Sequence, residues 1–319
     1  MRQKILAKLY ELRGAYISGN DLAEALGVSR VAVWKHIEAL KQEGYDITGI
    51  SGKGYSLKDE GSIIIPPEVM RNMPDSNLFK QILFYPTVNS TNETAKTLVA
   101  DKKGEEGIVI VARKQTAGKG RLGRRWESGI GGLWFSLILR PRLPLRELPL
   151  LSLVFAVAVA KALDQFLVTP SQIKWPNDVL VKGKKIGGIL LEGSGQVDNV
   201  ENVIVGIGIN INQESWADDI GKIATSLKQE TKEEVSNNVI LPVVLSSLES
   251  YYNLFINEGF AAIREEFKEK CLHLGQSVSV QQMNQAVTGI NTDIDIQGSM
   301  LLKVNDDIIH VTTGDVKII

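Results

Sequence analysis

Residues 113–126 read RKQTAGKGRLGRRW, and their reading decides which fold the chain can have. They hold six basic residues (Arg113, Lys114, Lys119, Arg121, Arg124 and Arg125) and no acidic one. Gly118 to Gly123 satisfies G-x-G-x-x-G and follows the strand-like run 108–112, so a dinucleotide-binding fold is the first reading to weigh. It fails, because Arg124-Arg125-Trp126-Glu127-Ser128-Gly129 does not open an apolar helix and no clear βαβ unit follows. A G-x-x-x-x-G-K-[ST] run occurs nowhere, which removes a Walker loop. What remains is a flexible loop. Its glycines let backbone approach a ligand while its arginines neutralise negative charge, with a phosphate or nucleotide as the anion.

Further pieces could meet that loop. Lys174-Trp175-Pro176-Asn177-Asp178 is a strand end turned by Pro-Asn, followed by strand 179–181 and a Lys182-Gly183-Lys184 hairpin tip. Lys185 then heads strand 186–191, where Gly187-Gly188 interrupt an otherwise apolar run. Such glycines weaken a strand unless something must approach the backbone closely, and Lys185 is then placed beside the ligand. Ser90-Thr91-Asn92-Glu93 starts a helix and offers hydroxyls and an amide to a neutral polar group, although simple N-capping explains it equally well. Gly206-Ile207-Gly208-Ile209-Asn210 reads as another close-packed strand with no chemistry assignable from the residues alone.

Upstream lies a compact unit. Ile5, Leu6, Leu9 and Leu12 share a helical face and Gly14 stops it; Asp21 precedes a short helix over 22–26 that Gly27 ends. Ser29 caps the next helix, in which Val33, Ile37 and Leu40 recur at helical spacing until Gly44. Residues 47–57 then alternate loosely around Gly52-Lys53-Gly54, a hairpin tip. Helix, helix, glycine turn, helix and hairpin is the order of a winged helix-turn-helix. Region 1–58 carries nine Lys/Arg against six Asp/Glu, a local charge of +3 where the whole chain is −1. If the helix after Ser29 reads DNA, then Ser29, Arg30, Trp34, Lys35 and the wing residue Lys53 face the groove. The alternative is a helical interaction module with solvated charges, and His36 reads as a surface or capping histidine.

The 319 residues at ~150 per domain allow two or three domains, and 44% hydrophobic with 23% charged residues is ordinary globular composition. One cysteine, Cys271, excludes an internal disulfide framework, and three scattered histidines argue against a zinc site. Pro66-Pro67 after Ile63-Ile64-Ile65 reads as a connector in which paired prolines deter helix. The central region has strands at 108–112, 133–139, 179–181, 186–191 and 203–211, and helices at 92–100, 150–166, 241–257 and 260–271. From Gly275 the helical period stops, and short β-rich pieces at 277–280, 286–290, 300–304, 308–311 and 316–319 read as a small antiparallel barrel. The opening run MRQKILAKLYELRG is too charged for a signal peptide, and the apolar stretch 150–160 is too short for a membrane span of ~18 residues, so the expectation is a cytoplasmic protein with no membrane partner.

Ser90-Thr91-Asn92, Gln115–Arg121, Lys174–Asp178 and Gly206–Asn210 occur in the order seen in biotin–protein ligases, and with the helix-turn-helix ahead of them the chain resembles the bifunctional biotin ligases that also repress the biotin operon. The resemblance covers nearly the whole chain. It implies an α+β multidomain architecture: an N-terminal winged helix-turn-helix (1–62), a central class II aminoacyl-tRNA-synthetase-like mixed sheet with helices (63–272), and a C-terminal SH3-like β-barrel (273–319). It implies ATP-dependent activation of biotin to biotinyl-5′-AMP, and transfer to a lysine of a biotin carboxyl carrier domain such as that of acetyl-CoA carboxylase. It also implies operator binding as an adenylate-loaded homodimer. By the same resemblance Ser90, Thr91, Asn92, Gln115, Lys119, Gly120, Arg121, Lys185 and Gly188 bind biotin. Lys119, Arg121, Arg124, Trp126, Asn177 and Asn210 meet ATP or the adenylate. Arg121 and Lys185 are catalytic, and Asp178 meets Mg2+. Leu122 and Lys119 depart from the arginines common in bacterial members, and lysine does not reproduce a bidentate guanidinium contact. A lipoate or octanoate ligase, or a non-enzymatic repressor sensing a small acid, are the competing readings.

Overall fold

A computed structural model describes residues 1–12, 14–58, 62–73, 76–196, 199–216, 220–282 and 285–319. Arg13, counted above among the basic residues of the first unit, lies outside them. Three helices open the chain: α1 (Arg2–Glu11), α2 (Gly19–Leu26) and α3 (Arg30–Gln42). Ile5, Leu6, Leu9, Leu22, Val33, Ile37 and Leu40 are wholly buried between them, the outcome that i, i+3, i+4 spacing requires. Ser29 caps α3 by accepting the Ala32 amide, as expected, whereas Ser18 and not Asp21 caps α2, which therefore starts at Gly19. The wing, β1 (Ile47–Ile50) and β2 (Gly54–Leu57), is an antiparallel pair closed by Ile50 opposite Gly54. Gly54 is at φ +100°, and a Cβ there would lie 2.0 Å from the Ile17 carbonyl, to whose residue Tyr55 is doubly bonded.

The connector is not plain coil. Pro66 and Pro67 occupy the first turn of α4 (Pro66–Arg71), where a missing amide N–H costs nothing; paired prolines deter a helix interior but suit its start. Ile63 and Ile65 pack into the winged-helix core and Ile64 into the central core. The Asn238 side chain brackets this stretch, donating to the Ile63 carbonyl and accepting from the Ile65 amide, both at 2.7 Å. Tyr45 adds a hydrogen bond to the Ile64 carbonyl and a ring contact with Phe84 at 5.4 Å. The winged helix is thereby held against the sheet behind it.

That sheet has seven strands, formed with the helices between them: β3 (Gln81–Val88), α5 (Thr91–Ala100), β4 (Ile108–Gln115), β5 (Leu133–Leu139), α6 (Leu150–Asp164), β6 (Gln172–Lys174), β7 (Asp178–Val181), β8 (Lys184–Gln196) and β9 (Asn199–Ile209). Its order is β3-β4-β5-β9-β8-β7-β6, parallel between β3 and β4 and antiparallel elsewhere. The edge strand β3 was not anticipated; Pro86 interrupts its apolar run, and an edge is where a sheet tolerates proline. Period-two alternation divides β5 and β9. Leu133, Phe135, Leu137, Val203, Val205, Ile207 and Ile209 join the main core, while Trp134, Ser136, Ile138, Ile204, Gly206 and Gly208 point to the other face.

On the core face lies α6, of which all but Lys161 and Asp164 is buried, against α9. After α7 (Ile220–Ile223) and α8 (Leu227–Thr231) come α9 (Asn237–Glu258) and α10 (Ala261–Lys270). α9 is long and apolar enough to cross a membrane, but half of that stretch is buried inside the protein. The chain ends in an antiparallel sheet of five strands, β10 (Ser277–Gln281), β11 (Ala286–Ile294), β12 (Met300–Val304), β13 (Asp307–Val311) and β14 (Asp315–Ile318), in the order β13-β12-β11-β10-β14.

His273 is fully buried where this last unit meets the central one, and its Nε2 accepts the Trp175 amide at 2.9 Å. Burial, with Lys174 adding to it, holds the imidazole down to about 4 from an ordinary 6.5. The unfolded chain therefore takes up a proton on His273 as the pH falls below 6.5, while the folded chain resists until about 4, so stability is lost on acidification across that window. The full loss is about 3 kcal/mol. Urea unfolding at pH 7 and pH 4.5 will show a smaller acid loss in His273→Gln than in the parent; equal losses would contradict a buried neutral imidazole.

Candidate active site and DNA-facing surface

The face of the sheet opposite α6 carries a cavity of about 330 Å³. Its floor is made by residues without side chains. Ser136 pairs with Gly206, and Trp134 with Gly208; Gly208 pairs in turn with Gly188, and Gly188 with Asp178. A Cβ on Gly206 would come within 2.3 Å of Asn92 Oδ1, and one on Gly208 within 2.7 Å of the Trp126 indole. At Gly188 it would stand 3.1 Å from both Lys185 and Trp126. The glycines that resisted assignment from sequence thus form a trough. Gly188 and Gly208 are covered by Trp126, and Gly206 by Asn92.

At one end of the cavity are uncharged groups. Ser90, Thr91 and Asn92 are each 3% exposed, and Ser90 makes no side-chain cap for α5, so simple capping does not explain it. Gln115 Oε1 accepts from the Thr91 amide at 2.7 Å, and Gln115 Nε2 donates to Ser128 at 2.8 Å. The wholly buried Ser136 hydroxyl links Thr91 Oγ1 and Asn92 Oδ1, while Asn92 Nδ2 donates to Glu192 at 2.6 Å. Glu192 also pairs with Lys96. This network fixes the donors and acceptors of the α5 start before any ligand arrives.

At the other end are cations. Arg121 donates to Asn177 Oδ1 at 2.8 Å, and Asn177 Nδ2 donates to the Ile189 carbonyl at 2.9 Å. Burial pulls the Arg121 guanidinium below its ordinary value, against the pull of Asp315 and Asp178. Lys185 is ion-paired with Asp178 at 2.7 Å and stands over the Trp126 ring, 4.7 Å from its centre. Asn210 donates to the Lys185 and Thr225 carbonyls, which anchors the end of β9 beside Lys185. Arg124 reaches Asp315 of β14 at 2.9 Å, so the C-terminal unit contributes to the rim. Lys119 turns to Glu93 at 2.7 Å, and two lysines, Lys119 first and then Lys96, hold the Glu93 carboxyl below its ordinary value.

Every ligand-binding residue expected from sequence lines this one cavity: Ser90, Thr91, Asn92, Gln115, Lys119, Gly120, Arg121, Arg124, Trp126, Asn177, Asp178, Lys185, Gly188 and Asn210. Two expectations change. The basic stretch is an ordered turn, not a free loop: Gly120 bonds Arg124, Trp126 bonds Gly118, and a 3-10 turn spans Arg121–Gly123 with Leu122 left-handed at φ 57°. Of its six basic residues, Arg113 and Lys114 are on β4 outside the cavity, and Arg113 bonds Ser62 of the connector. Asn177 lines the cavity and both ends of its amide are engaged by protein, which aims Arg121. Sequence reading missed Ser128, Ser136, Glu192, Trp216, Ile223 and Asp315, the last three of which line the cavity. Ser136 alone had a signal, a hydroxyl inside the apolar run LWFSLIL.

A separate surface carries the residues expected to face DNA. Arg30, Trp34 and Lys35 of α3 and Lys53 of the wing are exposed, Trp34 by 53%, and Val31 beside them by 62%. Ser29 spends its hydroxyl on the cap, which leaves the first amides of α3 facing outward near it.

Three family models match the chain: an HTH domain over residues 1–56, the biotin/lipoate A/B protein ligase family over 84–210, and the biotin protein ligase C terminal domain over 273–318. The chain is 37% identical over 320 residues to the bifunctional ligase/repressor BirA of Bacillus subtilis, covering 99% of this chain and 98% of that protein. It is 28% identical to the protein of the same name from Escherichia coli, over 98% of this chain and 94% of the other. The solved biotin protein ligase of Aquifex aeolicus in complex with biotin and ATP aligns with a TM-score of 0.67 at 32% identity, covering 75% of this chain and 98% of that one. Matched end to end at this identity, the chain belongs to the bifunctional biotin–protein ligase and repressor family.

Proposed function

We infer that the chain performs both activities its family combines, ATP-dependent attachment of biotin to a protein and transcriptional repression through its winged helix. The observation that carries the ligase reading is the two-ended cavity. Neutral, pre-bonded Ser90, Thr91, Asn92 and Gln115 suit a uncharged ureido ring, and the cations Arg121 and Lys185 suit a carboxylate next to a phosphate. Biotin lying along the glycine trough then points its carboxylate at the cationic end.

In the first step a carboxylate oxygen of biotin attacks the α-phosphorus of ATP, and the bond to pyrophosphate breaks as the new P–O bond forms. Negative charge grows on the α-phosphoryl oxygens, and Arg121 and Lys185 are pre-aimed to neutralise it. Magnesium comes with the triphosphate, and Asp178, whose buried Oδ1 has no hydrogen-bond donor beyond its ion pair with Lys185, is the carboxylate we assign to it. In the second step a lysine amine of the carrier attacks the acyl carbon of the mixed anhydride, AMP leaves, and the amine loses a proton. Trp126 and the Arg121–Gly123 turn keep water from the anhydride between the steps.

The acceptor we propose is the biotin carboxyl carrier domain of acetyl-CoA carboxylase or a similar biotin-dependent enzyme. Operator DNA is bound by an adenylate-loaded homodimer, because two winged helices can span two half-sites where one cannot. Both partners put the protein in the cytoplasm. The division of labour we assign follows residues 1–62, 63–272 and 273–319; the winged helix has a core of its own, which Ile63 and Ile65 extend just past the first boundary.

Incubating the protein with biotin, MgATP and a carrier domain should release pyrophosphate and label the carrier; no biotin-dependent release would sink the ligase reading. Lys185→Ala should lower adenylate formation by ~10²–10³-fold, and Arg121→Ala should shorten the lifetime of bound adenylate by a similar factor. Both should leave the thermal midpoint within a few degrees of the parent. Arg30→Ala with Lys35→Ala should weaken operator binding by ~10-fold or more and flatten its salt dependence by about one unit of slope per lost phosphate contact. Carrier labelling should be unchanged in that variant, and joint loss of both activities would argue against separable surfaces.

A further inference from the structure

We propose that His273 is a positioning residue for adenylate chemistry: from the C-terminal unit it holds the Trp175 backbone amide and thereby fixes the turn 175–178 that aims Arg121 and Lys185. The imidazole is fully buried and touches none of the reacting groups itself. Its Nε2 lies 2.9 Å from the Trp175 amide nitrogen, and because that amide can only donate, Nε2 must be unprotonated. The ring proton is therefore on Nδ1, which faces the Asn291 side-chain amide at 3.1 Å and Cys271 Sγ at 3.4 Å. Asn291 Oδ1 is buried without a partner, and with that amide turned over its oxygen would accept the Nδ1 proton. The tautomer is thus set by the Trp175 amide, and the protonated Nδ1 faces Asn291 of β11.

The barrel grips the same tryptophan a second time, since the Trp175 indole N–H donates to the Gly298 carbonyl at 3.0 Å. Two residues further on, Asn177 orients Arg121 at 2.8 Å, and the next residue, Asp178, pairs with Lys185 at 2.7 Å. Arg121 and Lys185 are therefore both referenced to a turn whose first amide is held from another unit of the chain. Displacements of about 1 Å at such positions cost reactions on the order of 10²-fold. Holding the turn is thus a catalytic requirement as well as a packing one. The inference rests on the reading in which Arg121 and Lys185 hold the adenylate.

Full-length His273→Leu, which keeps bulk but removes the acceptor, should slow biotin-dependent pyrophosphate release ~10-fold and shorten the lifetime of bound adenylate. The KM for biotin should stay within about twofold, because the ureido end at Ser90–Gln115 is not referenced to this turn. His273→Gln, whose Oε1 can stand where Nε2 stood, should restore both within about threefold, and Asn177→Ala should add little in the His273→Leu background. If His273→Leu does not fold, His273→Asn, too short to reach Trp175, replaces it in the comparison with His273→Gln. A folded His273→Leu with parental adenylation and adenylate lifetime overturns the proposal. So does a His273→Gln that is as slow as His273→Leu, because the acceptor would then be irrelevant. Arg121→Ala separates the two layers: if it retains adenylate, the underlying reading fails, and if it loses adenylate while His273→Leu does not, only this inference fails.

Discussion

Gly206 and Gly208 on β9, with Gly188 on β8, leave the middle of one sheet face without Cβ atoms, and the rest of the site is arranged around that vacancy of side chains. Hydrogen-bonded strands hold their backbones about 4.8 Å apart, so a row of glycines across two of them is a rigid groove. Asn92 packs down onto Gly206 and Trp126 onto Gly208 and Gly188, which lets α5 and the Arg121–Gly123 turn approach from opposite sides. A methyl group at Gly206 or Gly208 would collide with a side chain that is itself held by hydrogen bonds or ring packing. The opposite face of the same strands is filled by Val203, Val205, Ile207 and Ile209 against α6, so the groove cannot relax by bending away.

The charges around the groove are paired in a graded manner. Lys119, Arg124 and Arg125 meet carboxylates at exposed positions, where such pairs contribute little and exchange readily. Arg121, the more buried cation, is oriented by the neutral amide of Asn177. A carboxylate in that place would cancel the field that an anionic ligand needs; an amide fixes direction without forming an ion pair. Lys185 is intermediate, shared between Asp178 and the face of Trp126.

Buried polar contacts help to join the three units. Asn238 brackets the connector that leads to the winged helix, and its neighbour Asn237 donates to the Gly132 carbonyl at the start of β5. His273 performs the equivalent task on the other side, between the barrel and the Trp175 turn. Each of these side chains meets backbone groups whose strand or helix partners have run out. Replacing them with apolar residues would leave those groups unsatisfied in the interior.

Much of this was readable from residue order. The apolar run LWFSLIL marked β5 at Leu133–Leu139, and helical spacing with Ser29 ahead marked α3, because local patterning reports what is buried. The concentration of arginine between Gly118 and Trp126 pointed through charge alone to the segment that lines the cavity. Elements whose local signals conflicted were not readable: β3 carries Pro86, and α4 begins at paired prolines that are breakers in any other position. Nor could the order of residues show why Gly206 and Gly208 are glycines, because Asn92 and Trp126 are distant in the chain and only the sheet register brings them together. The sequence by itself determined the elements and the chemistry available, since propensity, spacing and charge are local. Only the tertiary structure decided that Asn177 aims Arg121, that Asp315 comes to the rim and that His273 holds Trp175, since each contact joins segments far apart in the chain that only packing brings together.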